Sequence, residues 1–331
     1  MNEINQLIDT IKRSKNIIIL THVGPDGDTL GSMLALKEML SQISSIEKID
    51  SIIVGKIPDI FKFLPDINSV KTHDDNNLYQ SYDLAITVDC ASIDRLGDSL
   101  DLFRNAKITA NIDHHISNTK FANINVIDPQ ASATGQVVYN LSKLLNVKIT
   151  KDIATTLYTA ILTDTGGFKF ENTKSETFNV CANLIKAEAD PVYIYKQCYE
   201  SKPLAMVKLQ ARAIEEAIFI ENNTIAYVLI SRKMLESLNA SDDHVDGISE
   251  ALRQINTVKV ALVFKETQKG ATKISMRSKK LDVCEIARYF GGGGHRLAAG
   301  CTIEKPPADA VDEILPVLKK QMNNHLTCQS H

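Results

Sequence analysis

The chain has 331 residues, 44% of them hydrophobic and 23% charged, with a formal charge of −3 at pH 7. That length suits about two domains of ordinary size, and the small negative charge excludes a general attraction to nucleic acid, so a polyanion must be met by a local cluster of charge or metal. No apolar run approaches the ~18 residues of a membrane span, and the first residues lack the basic-then-apolar order of a signal peptide, which points to the cytoplasm and to no membrane partner.

An amphipathic opening helix carries Ile4, Leu7, Ile8 and Ile11, and residues 16–20 read as a buried parallel strand. The polar loop His22-Val23-Gly24-Pro25-Asp26-Gly27-Asp28 follows, and after it Leu30, Met33, Leu34, Met39 and Leu40 fall at helical spacing. Residues 49–54 form a second strand, 82–88 a third that runs into Asp89, and 107–112 a fourth that ends at Asp113-His114-His115. Helical patterns over 132–145 and 153–162 lead to Asp164. Strands alternating with helices imply an α/β fold with a doubly wound, mostly parallel sheet.

This first domain is expected over 1–188, and a charged helical connector over 189–216. A smaller α/β domain is expected over 217–331, with strands at 224–230, 258–264 and 272–277 and a helix at 283–289 before Gly291-Gly292-Gly293-Gly294-His295-Arg296. The six cysteines never form a C-x-x-C pair, so neither a zinc knuckle nor a thioredoxin-like site is signalled. Cys90 reads as a small strand-end residue, since no base is implied for it.

Carboxylates and imidazoles gather where elements end: His22, Asp26 and Asp28, then Asp89, then Asp113, His114 and His115, then Asp164. In a parallel sheet the strand-end groups line one edge, which is where ligands bind in open α/β sheets. Mixed imidazole and carboxylate ligands suit Mn²⁺ better than Mg²⁺ or structural Zn²⁺. Four Asp carboxylates balance two divalent ions, and two such ions can share a bridging hydroxide and stabilise an in-line displacement at phosphorus. The glycine run has two readings, a backbone cradle for phosphate or a turn between helix and strand. Arg277, followed by Ser278, Lys279 and Lys280, is a candidate bidentate phosphate ligand.

Over nearly its whole length the sequence resembles the DHH phosphoesterase family and, within it, the NrnA-like group. The motifs that carry the resemblance are 22–28, Val88-Asp89, Asp113-His114-His115, Thr163-Asp164-Thr165-Gly166 and, for a DHH-associated carboxyl-terminal domain, 291–300. The resemblance implies His22 and Asp26 on one metal, Asp28 and His114 on the other, Asp89 bridging and Asp164 completing the set. It implies Asp113 as the acceptor that orients an imidazole and His115 as a group facing the phosphate, these two being the candidate catalytic residues. Substrate contacts are implied for Arg253, Arg277, Ser278, Gly292, Gly293, Gly294 and His295, with the active-site cleft between the two domains. Two departures stand out: Gly24 where the family often has Asn, and Ile248-Ser249-Glu250 where it has a Val-Asn segment.

The leading reading is a phosphoesterase with two divalent ions, Mn²⁺ by preference, acting on short RNA oligomers and 3′-phosphoadenosine 5′-phosphate (pAp). Alternatives on the same scaffold are a cyclic-dinucleotide or linear dinucleotide phosphodiesterase and, from another class, a non-catalytic nucleotide-binding regulator. Long double-stranded nucleic acid is not an expected partner, and a homodimer is compatible with the reading.

Overall fold

In the computed structural model, which describes residues 3–76, 78 and 81–328, the continuous apolar runs become strands buried on both faces, as a parallel sheet between helical layers requires. α1 (Glu3–Arg13) buries Leu7, Ile8 and Ile11 and leads into β1 (Asn16–Val23), α2 (Gly27–Ser41) and β2 (Lys48–Val54). Then come β3 (Lys71–Thr72), β4 (Leu84–Val88), α3 (Leu100–Arg104), β5 (Ile108–Asp113) and β6 (Ile124–Ile127). The helices α4 (Thr134–Leu145), α5 (Lys151–Asp164), α6 (Ser175–Lys186) and α7 (Pro191–Tyr199) complete the first unit.

Among the described residues its sheet has the order β3-β2-β1-β4-β5-β6, and every neighbouring pair is parallel. The order reverses between β1 and β4, so the chain's connections leave a crevice outside the carboxyl ends of those two strands. β1 continues past residue 20, where the pattern alone would stop it. Leu20 pairs with Ile52 and Val23 with Val54, so β1 carries one extra residue between these pairs. Such a bulge re-aims side chains at a strand's end, and here it lies at Thr21 and His22.

The chain divides into two compact units between Ser201 and Lys202. The expected connector is two helices with separate allegiances: Ile194 of α7 lies in the core of the first unit, whereas Leu209 and Ala213 of α8 (Leu204–Glu215) lie in a core of the second. Buried apolar stripes drive this, since a helix docks where its apolar face is covered.

The second unit continues with β7 (Ile218–Ile220), β8 (Ile225–Ile230), α9 (Arg232–Ser237), α10 (Ile248–Gln254), β9 (Val260–Glu266) and β10 (Thr272–Ser278). α11 (Val283–Tyr289), β11 (Gly293–His295), β12 (Ala298–Ile303) and α12 (Pro307–Cys328) finish it. Its sheet, in the order β11-β12-β10-β9-β8-β7, is antiparallel except for β8 against β9. Among the described residues no helix is long and apolar enough to cross a membrane.

Candidate metal centre

The three central strands of the first sheet deliver their polar ends to one edge. His22 comes from the bulged end of β1, Asp89 from the residue after β4, Asp113 from the last position of β5, and His114 and His115 from the turn that follows. Asp26 caps α2, with its Oδ1 accepting from Thr29 N at 3.1 Å, and Asp28 lies in the first turn of the same helix. Asp164 ends α5.

Asp89 adopts φ +58°, a left-handed conformation uncommon outside glycine, and its N–H donates to Ile112 O at 3.0 Å. Backbone of this kind persists only where its surroundings over-determine it, and it gathers at functional sites. Thr134 Oγ1 donates to Asp89 Oδ1 at 3.0 Å, and Thr29 Oγ1 lies 2.7 Å from Oδ2, so the carboxylate is held from both sides. Asp28 is fixed by the amino end of α4, accepting from Thr134 N at 2.7 Å and Gly135 N at 2.9 Å.

Three sets of donor atoms converge: His22, Asp26 and Asp89; Asp28, His114 and Asp164; and Asp89, His114 and His115, the ligand atoms of each set within 4.8 Å of one another. His22 Nε2 lies 3.7 Å from Asp89 Oδ2, and His114 Nε2 lies 3.8 Å from Asp28 Oδ2, 3.9 Å from Asp89 Oδ1 and 3.6 Å from Asp164 Oδ2. These gaps are too long for hydrogen bonds. Two ligands of one cation at about 2.1 Å each can stand at most about 4.2 Å apart, so the spacing suits an ion between them. The donor set fits a metal.

Electrostatics point the same way. Burial, and then the charges of Asp89, Asp164 and Asp26, push the Asp28 carboxyl well above its ordinary value. Burial and the charges of Asp89 and Asp26 likewise push Asp164 up to about 8. Carboxylates that raise one another in a buried cluster are stabilised as anions by added positive charge. For Asp89 burial acts upward too, but the neighbouring imidazoles of His22, His115 and His114 outweigh it and hold the carboxyl well below the usual range. His114 is pushed down, chiefly by burial, which favours the neutral ring that ligates.

Asp113 is buried and sits behind the cluster. Its Oδ1 lies 2.7 Å from His115 Nδ1 and also accepts from His114 N at 2.8 Å. Burial works to lower His115, yet the Asp113 hydrogen bond and the charges of Asp113, Asp89 and Asp164 raise it to about 9. Cys90 is no nucleophile here: burial pushes its thiol up to about 12, and Sγ donates to Ser92 O.

Residues 16–161 match the DHH family, N-terminal domain, and residues 222–324 match the DHHA1 domain. Over 300 residues the chain is 31% identical to a probable bifunctional oligoribonuclease and PAP phosphatase NrnA of Streptococcus mutans, covering 91% of this chain and 93% of that one. The chain belongs to the DHH family of phosphoesterases. It is also 29% identical over 309 residues to the bifunctional oligoribonuclease and PAP phosphatase NrnA of Thermus thermophilus, covering 92% and 90% of the two chains. The crystal structure of an exopolyphosphatase-related protein from Bacteroides fragilis superposes with a TM-score of 0.89 at 22% identity, over 99% of this chain and 98% of that one, which shows a shared fold. DHH phosphoesterases are metal-dependent, and the acidic and histidine clusters at this sheet edge could hold a metal.

The departure from the DHH pattern at Gly24 is conformationally mild. Gly24 has φ +69°, and Asn is the other residue that adopts this conformation readily. The second departure has a larger consequence. Glu250 ion-pairs with Arg277 Nε, while Arg277 Nη1 donates to Met276 O at 3.1 Å, so this expected phosphate ligand already has a carboxylate beside it. Arg253, one turn from Glu250 on α10, has a buried Nε without a hydrogen-bond partner among the described residues. Ser278 is buried and accepts from Lys280 N through Oγ.

The glycine run forms no free loop. Gly293–His295 is β11, paired with β12, and a Cβ on Gly292 would stand 2.2 Å from Gly300 O, one on Gly294 2.5 Å from Ala298 O. Close backbone approach accounts for those two glycines, whereas Gly293 faces open space. Thr29, Thr134, Gly135 and Arg95 also touch the cluster, outside the motifs named above. The Asp26-x-x-Thr29 cap and the Thr134-Gly135 helix start are legible signals, but their partners in the cluster lie 45 to 107 residues away.

Proposed function

We propose that the chain hydrolyses short RNA oligonucleotides and pAp, with two divalent ions, Mn²⁺ by preference, held by His22, Asp26 and Asp89 and by Asp28, His114 and Asp164, Asp89 serving both. The observation that carries this reading is the convergence of the two sets of possible donors, one of them containing the buried, doubly held Asp89, at the sheet's reversal point. Family membership supplies the phosphoester chemistry, and the names of the relatives supply the substrate class. The imidazole and carboxylate donors favour Mn²⁺ over Mg²⁺.

When bound, the ions supply Lewis acidity at a phosphoryl oxygen and a water that ionises near neutral pH. The chain's own groups set the geometry. Thr29 and Thr134 keep the Asp89 oxygens in place, and the amides of Thr134 and Gly135 do so for Asp28. Asp113 accepts the Nδ1 proton of His115 and orients the ring, so that His115, protonated at neutral pH, presents Nε2–H to a phosphoryl or leaving oxygen. In this reading Arg253 and Arg277 bind substrate phosphate, with Ser278, Gly292, Gly293, Gly294 and His295 beside them.

The test is turnover by purified protein, stripped with EDTA and then given Mn²⁺, Mg²⁺ or Zn²⁺, against dinucleotides, longer RNA, pAp and cyclic dinucleotides. Mn²⁺-restored hydrolysis of dinucleotides and pAp is expected. Undiminished turnover in EDTA would sink the reading, and preference for a cyclic dinucleotide would replace its substrate.

A further inference from the structure

Arg95 lies in the 3₁₀ stretch Ile93–Ser99 that follows β4, and its Nη2 reaches His22 Nδ1 at 3.0 Å. The segment is anchored on both sides of the arginine's turn: Leu96 is fully buried in the second apolar cluster of the first unit, and a Cβ on Gly97 would stand 2.6 Å from Val23 Cγ2 at the end of β1. Arg95 itself is exposed and forms no ion pair among the described residues. A guanidinium held at the edge of a carboxylate-rich cluster, yet paired with none of its carboxylates, is unusual, because ion pairing would be the cheapest use of its charge.

His22 Nδ1 has a second neighbour, Val23 O, also at 3.0 Å. A ring nitrogen serves one of these at a time: with a proton it donates to the carbonyl, and with a lone pair it accepts from Arg95, which can only donate. When Nε2 offers its lone pair to a cation, Nδ1 of the neutral ring carries the proton. Nδ1 then donates to Val23 O, and Arg95 loses its acceptor in the site. An anion with several acceptor oxygens is the natural replacement, and a planar fork of N–H groups suits phosphate.

We propose that Arg95 is a phosphate-binding residue of this centre, released from His22 once His22 Nε2 is committed to a cation, and aimed at a non-bridging oxygen of the substrate's phosphate. This rests on the phosphoester reading above and adds to it a residue from the first unit that confers anion specificity. The chemistry recognised is a phosphate monoester or diester, with inorganic phosphate as the simplest probe.

The experiment compares wild type, R95K and R95A as full-length, Mn²⁺-loaded proteins, measuring inorganic phosphate binding by calorimetry and metal content by mass spectrometry. The expected result is phosphate binding weaker by about tenfold or more in R95A, intermediate in R95K, with metal content equal to wild type in both. Equal phosphate affinity in R95A would overturn the proposal, as would failure of the wild type to bind phosphate. Metal loss in R95A that R95K restores would also overturn it, making Arg95 a positioning residue for His22. Absence of RNA and pAp hydrolysis alongside an Arg95-dependent phosphate affinity would remove the proposed activity and leave this inference standing.

Discussion

At the residue scale, Asp89 concentrates the site's demands. It is buried, left-handed in backbone, hydrogen-bonded to two threonines, and a member of two of the three donor sets that also include His22 and Asp26 or His114 and His115. Loss of a group that merely supports a ligand costs about 10–100-fold in metal affinity or activity, so D89N, which in the proposed mechanism removes a ligand shared by both ions, should lower kcat/KM by more than about a hundredfold. Metal content measured on the same sample should fall with it. His115 gives a pH signature. Its proton is held to about 9, so the active protonated form dominates at neutral pH and is lost as pH rises through that value. Bound cations oppose the carboxylate charges that raise it, so the kcat profile of the metal-loaded protein should decline on its alkaline side below pH 9, and H115N should lack that limb.

At the scale of elements, α2 and α5 bring Asp28 and Asp164 together, and they can do so because α2 has glycine where the helices touch. A Cβ on Gly31 would stand 2.4 Å from Thr156 O, and one on Gly27 2.4 Å from Thr163 Oγ1. G31A must therefore push the helices apart, and overpacking of this kind costs about 1–3 kcal/mol. Chemical denaturation should show that loss, and activity should fall further than the folded fraction, since α5 carries Asp164. The sheet has its own buried charge. Asp50 of β2 is 4% exposed and meets Lys71 Nζ at 2.8 Å, Lys48 Nζ at 3.3 Å and Tyr82 Oη at 2.7 Å. Burial works against its ionised form, but those three partners prevail and hold the carboxyl below its ordinary value. A depressed folded pKa contributes stability that is present above the unfolded value of about 3.9 and lost as pH falls through the folded one. D50N should cost about 2 kcal/mol at pH 7, and its stability should approach that of wild type as the solution is acidified below about pH 4.

For the whole molecule, a formal charge of −3 gives no general attraction to a polyanion, and Lys and Arg contacts to phosphate supply most of the affinity in long nucleic-acid complexes. Hydrolysis should therefore be most efficient for RNA of about two to five nucleotides and should show a shallow salt dependence. Faster degradation of much longer RNA with a steep salt slope would contradict this. The second unit is tested separately through Arg277. R277A should raise KM for pAp while leaving metal content intact, because every member of the donor sets lies in the first unit. Since Glu250 pairs with Arg277, E250Q should lower KM by removing a competing carboxylate.

By itself the sequence determined the alternation of strands and helices and put the candidate donors at element ends, because burial periodicity and polar residues at element ends are local properties of the chain. Asp26, Asp89, Asp113 and Asp164 could each be placed at an end without knowing any neighbour. Tertiary structure alone decided which ends meet. β1 pairs with β4 some 67 positions later, as Ile17 with Leu84, and Asp28 is held by amides 106 and 107 residues away. It also decided the bulge that turns His22 into the site, the Glu250 partner of Arg277, and the β-strand made by part of the glycine run. These depend on register and on which backbone passes close by, and neither is written into a residue's own type or spacing.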